Sequence, residues 1–449
     1  MTTPDLVLDL SALPLSEGLR RLVADEKEEF ETVLGRNLVI RRARPGEDAW
    51  VIDPSADAAP RLHWDAPGRL VSVAATEAEF VATLNAVHSL VGRDLAEVVV
   101  EPVVSAEEAI ALVRKEVANT YPYFGLRGLD WDAICARHLG ETPAVEDFTD
   151  FAAAWLAELG DAHTGIKTRG PGAFNPPYRG SLDADGVHLS DVPAGSAAWL
   201  AGVRPGWTVE IENAEHFIRT VGASPQQLSQ VRARRALAFT GEERTFLARG
   251  PSGQTAGWVE QTVPPTVDGM VQVARGPDGD LRVRVRAFDA RVDLHAAFDD
   301  VFARAQASDH LTLDLRGNPG GSILLATDLR DRFLRERTAI GSFAFTDGRG
   351  GLGPQRERWA EPSSRSRWPG TLDILIDAMT YSASEDFILG LQGLEHVTVT
   401  GSPTGGGSGR PRRIPLLPGI DLAVSTAITY DRYGHPVEFR GIRPDEGRG

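Results

Sequence analysis

Two junctions between an apolar run and a helical pattern carry residues suited to acyl-transfer chemistry. The later one reads Thr380-Tyr381-Ser382-Ala383-Ser384-Glu385 and follows the apolar stretch Leu372–Ile376. A serine at such a turn exposes its hydroxyl beside the amides of a helix start, as activated serines do. The same letters allow a second function, because Ser382-x-x-Glu385 is also a helix capping box. Ser384 is an alternative nucleophile. The earlier junction, Asp314-Leu-Arg316-Gly317-Asn318-Pro319-Gly320-Gly321, can expose successive backbone N–H groups to a developing oxyanion. It could equally be a plain turn, and no Gly-Lys-Ser/Thr follows to make it a phosphate loop.

A serine nucleophile needs a base. His163, in Gly160-Asp161-Ala162-His163-Thr164-Gly165, can take the serine proton and return it to a leaving amine. On its own it reads equally well as an exposed loop histidine. No two of the ten histidines stand at metal-ligand spacing, and Cys135 is the only cysteine, so neither a zinc site nor a disulfide is expected. Lysine is confined to Lys27, Lys115 and Lys167, which removes any lysine base from the second half. A carboxylate that fixes the histidine tautomer could come from Glu438 or Asp445 in Gly434-His-Pro-Val-Glu438-Phe-Arg-Gly441-Ile-Arg-Pro444-Asp445.

These residues need elements to hold them. From about 266 onward, strand patterns at Leu281–Phe288, Leu311–Leu315, Leu372–Ile376 and Val397–Thr400 alternate with helical ones at Leu294–Gln306, Ile323–Leu334 and Ser384–Leu394. That alternation predicts a parallel or mixed sheet covered by helices, with sites at the C-terminal strand ends. Residues 105–160 read as helices, the first capped by Ser105 and the last, Glu146–Leu159, ending at Gly160. Between 175 and 265 the pattern is of short strands broken by Gly and Pro. The first hundred residues mix strands at Asn37–Arg42 and Ala49–Asp53 with helices at Leu19–Leu34 and Glu77–Val91.

Together the four segments resemble the tail-specific (C-terminal processing) serine peptidase family. Asp314–Gly321 is the most specific string, and the likeness runs from about 105 to 449. Residues 186–215 resemble a PDZ-like module, with Trp207 standing where such modules often have aspartate. One branch of the family takes its base from a lysine in a Gly-rich segment after the serine. Here that segment is Gly401-Ser-Pro-Thr-Gly-Gly-Gly407-Ser-Gly, with Gly407 in place of the lysine. The other branch resembles the tricorn core protease, whose Ser-His-Glu arrangement falls on Ser382, His163 and Glu438.

The resemblance implies a multidomain α/β protein. Its parts would be an N-terminal α/β domain (1–103), a helical region carrying His163 (104–172), a PDZ-like domain (173–265) and a crotonase-like (ClpP/crotonase) α/β catalytic core (266–449). It also implies a serine endopeptidase or C-terminal processing protease acting on peptides or unfolded proteins without a cofactor. Gly320 or Gly321 with Ala383 would form the oxyanion hole. The alternative is a non-catalytic peptide- or ligand-binding protein on the same fold. A net charge of −16 disfavours nucleic acid and anionic membrane as partners. The first residues lack a signal-peptide pattern and no run is long enough to span a membrane, so a cytoplasmic chain is expected, with self-assembly left open.

Overall fold

A computed structural model describes residues 105–445 apart from 140–146, 169–172, 263–268, 276–279, 290–292 and 304–308. It also describes five strands within the first hundred residues. Those strands form one sheet in the order Leu38–Ile40, Leu6–Asp9, Ala49–Ile52, Arg69–Ser72, His63–Asp65, parallel except for the last. The helices expected at Leu19–Leu34 and Glu77–Val91 lie outside the described residues.

The second half is built on a five-stranded sheet in the order Val271–Arg275, Leu281–Val285, His310–Asp314, Thr371–Ile376, Val397–Gly401. The first pair is antiparallel and the rest are parallel. Its strands alternate: Leu311, Leu313, Leu372, Ile374, Val397 and Val399 are fully buried, while Thr312, Asp373 and Thr398 on the other face are only half-buried. The apolar face packs under the helices Leu294–Phe302, Ile323–Asp331 and Ala383–Leu389, through Phe298, Phe302, Leu329, Phe333 and Phe387. The mixed, largely parallel sheet with helices on its apolar face is the arrangement that the alternating pattern predicts.

Residues 179–261 form a separate antiparallel sheet, Arg179–Asp183, Gly186–Asp191, Thr208–Val209, Glu243–Arg249 and Thr255–Gln261 in spatial sequence. It has its own core, which takes in Trp207, Phe246 and Trp258 and is closed by the helix Leu228–Leu237. The helices Ala106–Thr120, Trp131–His138 and Phe148–Ala157 do not close on themselves. Their core of Val113, Val117, Phe148 and Trp155 continues into Ile414, Leu416, Leu422 and Val424. Those last residues lie on Arg412–Leu417 and Ile420–Val424, which pair with Gly165–Thr168 in a three-stranded antiparallel sheet. The strands after residue 402 had no sequence counterpart. They join the helical region to the second half of the chain.

Ser105 caps its helix as expected, accepting the Glu108 amide at 3.2 Å, and Gly160 adopts the left-handed conformation after the last helix. The third helix is shorter than expected, starting at Phe148.

Candidate active site

Three neighbouring parallel strands end at the site. His310–Asp314 leads into the glycine loop, Thr371–Ile376 into the serine turn, and Val397–Gly401 into the segment 404–409. Parallel order forces this coincidence, because all three strands run the same way and release their chains at one edge.

Ser382 sits at φ 60° and ψ −126°, a conformation that side chains rarely adopt and that costs of order 1–3 kcal/mol. The surroundings hold it there. Tyr381 N donates to Asn318 O at 3.0 Å, and Ser382 N donates to Glu385 Oε2 at 3.0 Å. The Glu385 amide donates to the Ser382 carbonyl at 2.7 Å. The Ser382 hydroxyl lies 3.2 Å from His163 Nε2. Ser382 and Glu385 together form the capping box of this helix, and the same serine side chain faces the imidazole.

The helix Ala383–Leu389 is buried on every side, so its polar residues must find partners inside. Glu385 accepts from Thr404 Oγ1 at 2.5 Å and from the amides of Gly406 and Gly407 at 2.9 Å each, besides Ser382 N. Burial pushes its carboxyl up to about 7 against these four donors. Asp386 accepts from Ser408 Oγ at 2.7 Å and pairs with Arg358 and Arg410. Ser384, the alternative nucleophile, is fully buried and donates to Asn318 O at 3.3 Å, away from any base.

The glycine loop abuts the serine turn. A side chain at Gly320 (φ +94°) would meet Ala383 N and Tyr381 O at 2.7 Å. Asn318 stitches the two together and donates to Val285 O at 3.0 Å. Its Oδ1 accepts the Gly320 amide at 2.9 Å. The amides of Gly321 and Ala383 have no acceptor among the described residues. Of Gly320 and Gly321, the two glycines considered for the oxyanion hole, Gly321 is the one whose amide is left without a protein acceptor among the described residues.

His163 lies between the helix Phe148–Ala157 and the strand Gly165–Thr168. Buried Asp161 holds this turn, accepting from His163 N at 3.0 Å and from Thr164 Oγ1 and Ser425 Oγ at 2.6 Å each. Because Gly165 pairs with Ala423, Ser425 arrives beside the turn from the far end of the chain. Burial pushes the imidazole down to about 4, opposed by the charge of Asp161 and assisted by Lys167. It is therefore neutral at pH 7, the form a general base requires.

Neither carboxylate considered as the orienter of His163 bonds directly to its ring among the described residues. Glu438 makes no hydrogen bond to His163; both its oxygens accept Thr429 N, at 3.1 and 3.0 Å. Burial pushes its carboxyl up to about 8, so it is also mostly uncharged at neutral pH. Asp445 is farther removed, bound to the last parallel strand through Val399 N at 2.8 Å. Facing His163 Nδ1 instead, at 3.0 Å, is the hydroxyl of Tyr381. Tyr381, Asp161 and Asn318 were given no role in the sequence, although each lies inside a quoted motif.

Residues 281–447 match Peptidase family S41. A 164-residue segment is 29% identical to the carboxyl-terminal-processing protease of Synechocystis sp., covering 36% of either protein. The chain thus aligns with about a third of that relative. Two solved structures are similar in fold. The photosystem II D1 C-terminal processing protease has a TM-score of 0.52 at 17% identity, over 76% of this chain and 93% of that one. Mature CPAF in complex with lactacystin has a TM-score of 0.56 at 14% identity, over 76% and 92%. The mixed α/β, multi-sheet architecture is that of these proteases. The family match spans the parallel strands from Leu281 onward together with their edge loops.

Proposed function

We propose that this chain is a serine peptidase that cleaves peptide bonds through an acyl-enzyme on Ser382. The observation that carries this is the strained Ser382 turn with its hydroxyl 3.2 Å from a neutral imidazole. Ser382 Oγ attacks the scissile carbonyl carbon as its proton passes to His163 Nε2. The carbonyl oxygen takes up the negative charge beside the amides of Gly321 and Ala383, donors worth about 2.7–4 kcal/mol each in such a role. Collapse expels the amine, which leaves with the proton from Nε2. A water molecule then repeats the sequence in reverse, giving its proton to Nε2 and freeing Ser382.

Several features support a histidine base over a lysine base. A side chain at Gly407 would land on the Tyr381 hydroxyl, and Gly407 N is bound to Glu385. The space where a lysine would begin is filled. The core of the second half is read as crotonase-like, and the sheet of residues 173–265 with its helix as a PDZ-like module for an extended peptide or a C-terminal carboxylate. Its position supports that reading. Arg179 donates to Asp377 at 2.8 Å and to Arg316 O at 3.0 Å, Ser224 donates to Gly405 O, and Gln226 to Phe439 O at 2.5 Å. All four contacts fall on loops of the site. By likeness to its relatives, the substrate is a polypeptide trimmed near its C-terminus, with residues 1–103 as a further domain.

The test is cleavage of an unfolded protein by wild type, Ser382→Ala and His163→Ala. Wild-type cleavage that falls by on the order of 10⁶-fold in Ser382→Ala is expected. Equal cleavage by wild type and Ser382→Ala would overturn the assignment. No cleavage with retained peptide binding would favour a binding protein on this fold.

A further inference from the structure

We propose that Tyr381 is the positioning residue for His163, its hydroxyl oxygen accepting the Nδ1 proton so that Nε2 stays open to Ser382. The proposal rests on the serine peptidase reading above and adds to it a group that takes the place of the orienting carboxylate. In a Ser–His pair the acid partner has two tasks: it holds the imidazole in one tautomer and orientation, and it offsets the charge of the imidazolium. Here the geometry points to two different residues for them.

Orientation falls to Tyr381. Its ring stacks on the imidazole, centroids 4.7 Å apart and planes inclined by 20°, while its oxygen lies 3.0 Å from Nδ1. The tyrosine is itself fixed, being buried, adjacent to the nucleophile and tied through its amide to Asn318. Three glycines close the pocket around the pair. Side chains at Gly405 or Gly407 would run into the Tyr381 ring, and one at Gly409 would come within 2.6 Å of Nδ1. Burial, followed by the charges of Asp161, Glu385 and Glu438, raises the phenol well above its ordinary range, so it remains a neutral hydroxyl.

Charge falls to Asp161. The ionisable groups felt by His163 are Asp161 on its own turn, Lys167 on the next strand, Asp386 on the nucleophile helix, and the Tyr381 hydroxyl at Nδ1. Asp161 reaches the residue through its backbone amide rather than its ring. It therefore stabilises the imidazolium at a distance without competing for Nδ1.

The experiment uses the full chain with ¹⁵N-labelled histidine, the His163 signals being identified by their loss in His163→Ala. In wild type, a protonated Nδ1 and an unprotonated Nε2 are expected. Tyr381→Phe, which keeps the ring and the stack, is expected to give a mixture of tautomers and a shifted titration midpoint for His163. Its rate of labelling by a fluorophosphonate should fall about tenfold, the usual size of one lost hydrogen bond, with a displaced pH profile and an unchanged melting temperature. The same tautomer, midpoint and labelling rate in Tyr381→Phe would overturn the proposal. If the wild type is not labelled at all, the peptidase reading fails, while the ¹⁵N spectra still decide whether Tyr381 holds His163.

Discussion

Ser382 and His163, the nucleophile and base of the proposed mechanism, are held by opposite means. Around Ser382 every support is short-range and dense. Three strand ends, the buried Glu385 with its four donors, and Asn318 bind the turn to the loops on either side. His163 instead sits on one turn whose stability depends on a single carboxylate, Asp161, and on a sheet formed by strands more than 250 residues apart. The difference follows from what each must do. The serine has to keep a strained backbone against relaxation, which needs over-determination. The imidazole has to gain and lose a proton, which needs a tuned surrounding rather than a rigid one.

The largest effect should come from attacking the dense side. Glu385→Ala leaves four donors without this acceptor, three of them in the buried segment 404–407 and one at the helix N-cap. Destabilisation of at least about 3 kcal/mol is expected, together with loss of labelling at Ser382. Denaturant unfolding checks this, and a midpoint close to wild type would mean that the brace is dispensable. On the sparse side, Asp161→Asn keeps some hydrogen bonds but removes the charge. Activity should drop roughly 10- to 100-fold, at or below the lower end of the effect of a whole general base, about 10²–10⁴-fold, while the melting temperature changes little. A collapse of the fold in Asp161→Asn would erase the distinction between the two sides.

A smaller effect concerns pH. Glu438 and Glu385 have folded pKa values raised to about 8 and about 7, above the ordinary carboxylate value. Their neutral forms are favoured in the folded chain, so their contribution is complete below about pH 4.5 and is lost as pH rises toward 7–8. Glu438→Gln should therefore flatten the decline in melting temperature between pH 5 and pH 8. An equally steep decline in that variant would show that Glu438 ionises freely in the fold. The smallest effect is expected for Arg179→Ala, at a half-exposed latch between the antiparallel sheet and the Arg316 and Asp377 loops. KM for a long peptide should rise a few-fold with kcat nearly unchanged, as for lost uniform binding.

The same contrast decides what could be read in the sequence. The nucleophile half follows from local order: an apolar strand, a turn and a helix appear as consecutive letters, so Ser382 and the Asp314–Gly321 loop were legible. Ser382 and His163 could be paired only through a resemblance. What brings them together is the register of Gly165–Thr168 on Ile420–Val424, which no local pattern signals. The surroundings of Glu438 were hidden for a related reason. Its spacing from the closing motif fits an orienter, but spacing cannot reveal that both carboxylate oxygens are turned to Thr429. Tyr381 escaped notice because a tyrosine beside a serine carries no chemical signature until its ring is seen to lie on an imidazole.

The central claim, that Ser382 is activated by a neutral His163, is tested most directly by mapping a fluorophosphonate adduct while the pH is varied. The adduct should lie on Ser382, its rate should hold down to about pH 4 as the depressed imidazole pKa requires, and His163→Ala should abolish it. An adduct on another residue, or a rate on Ser382 that is indifferent to His163→Ala, would contradict the account.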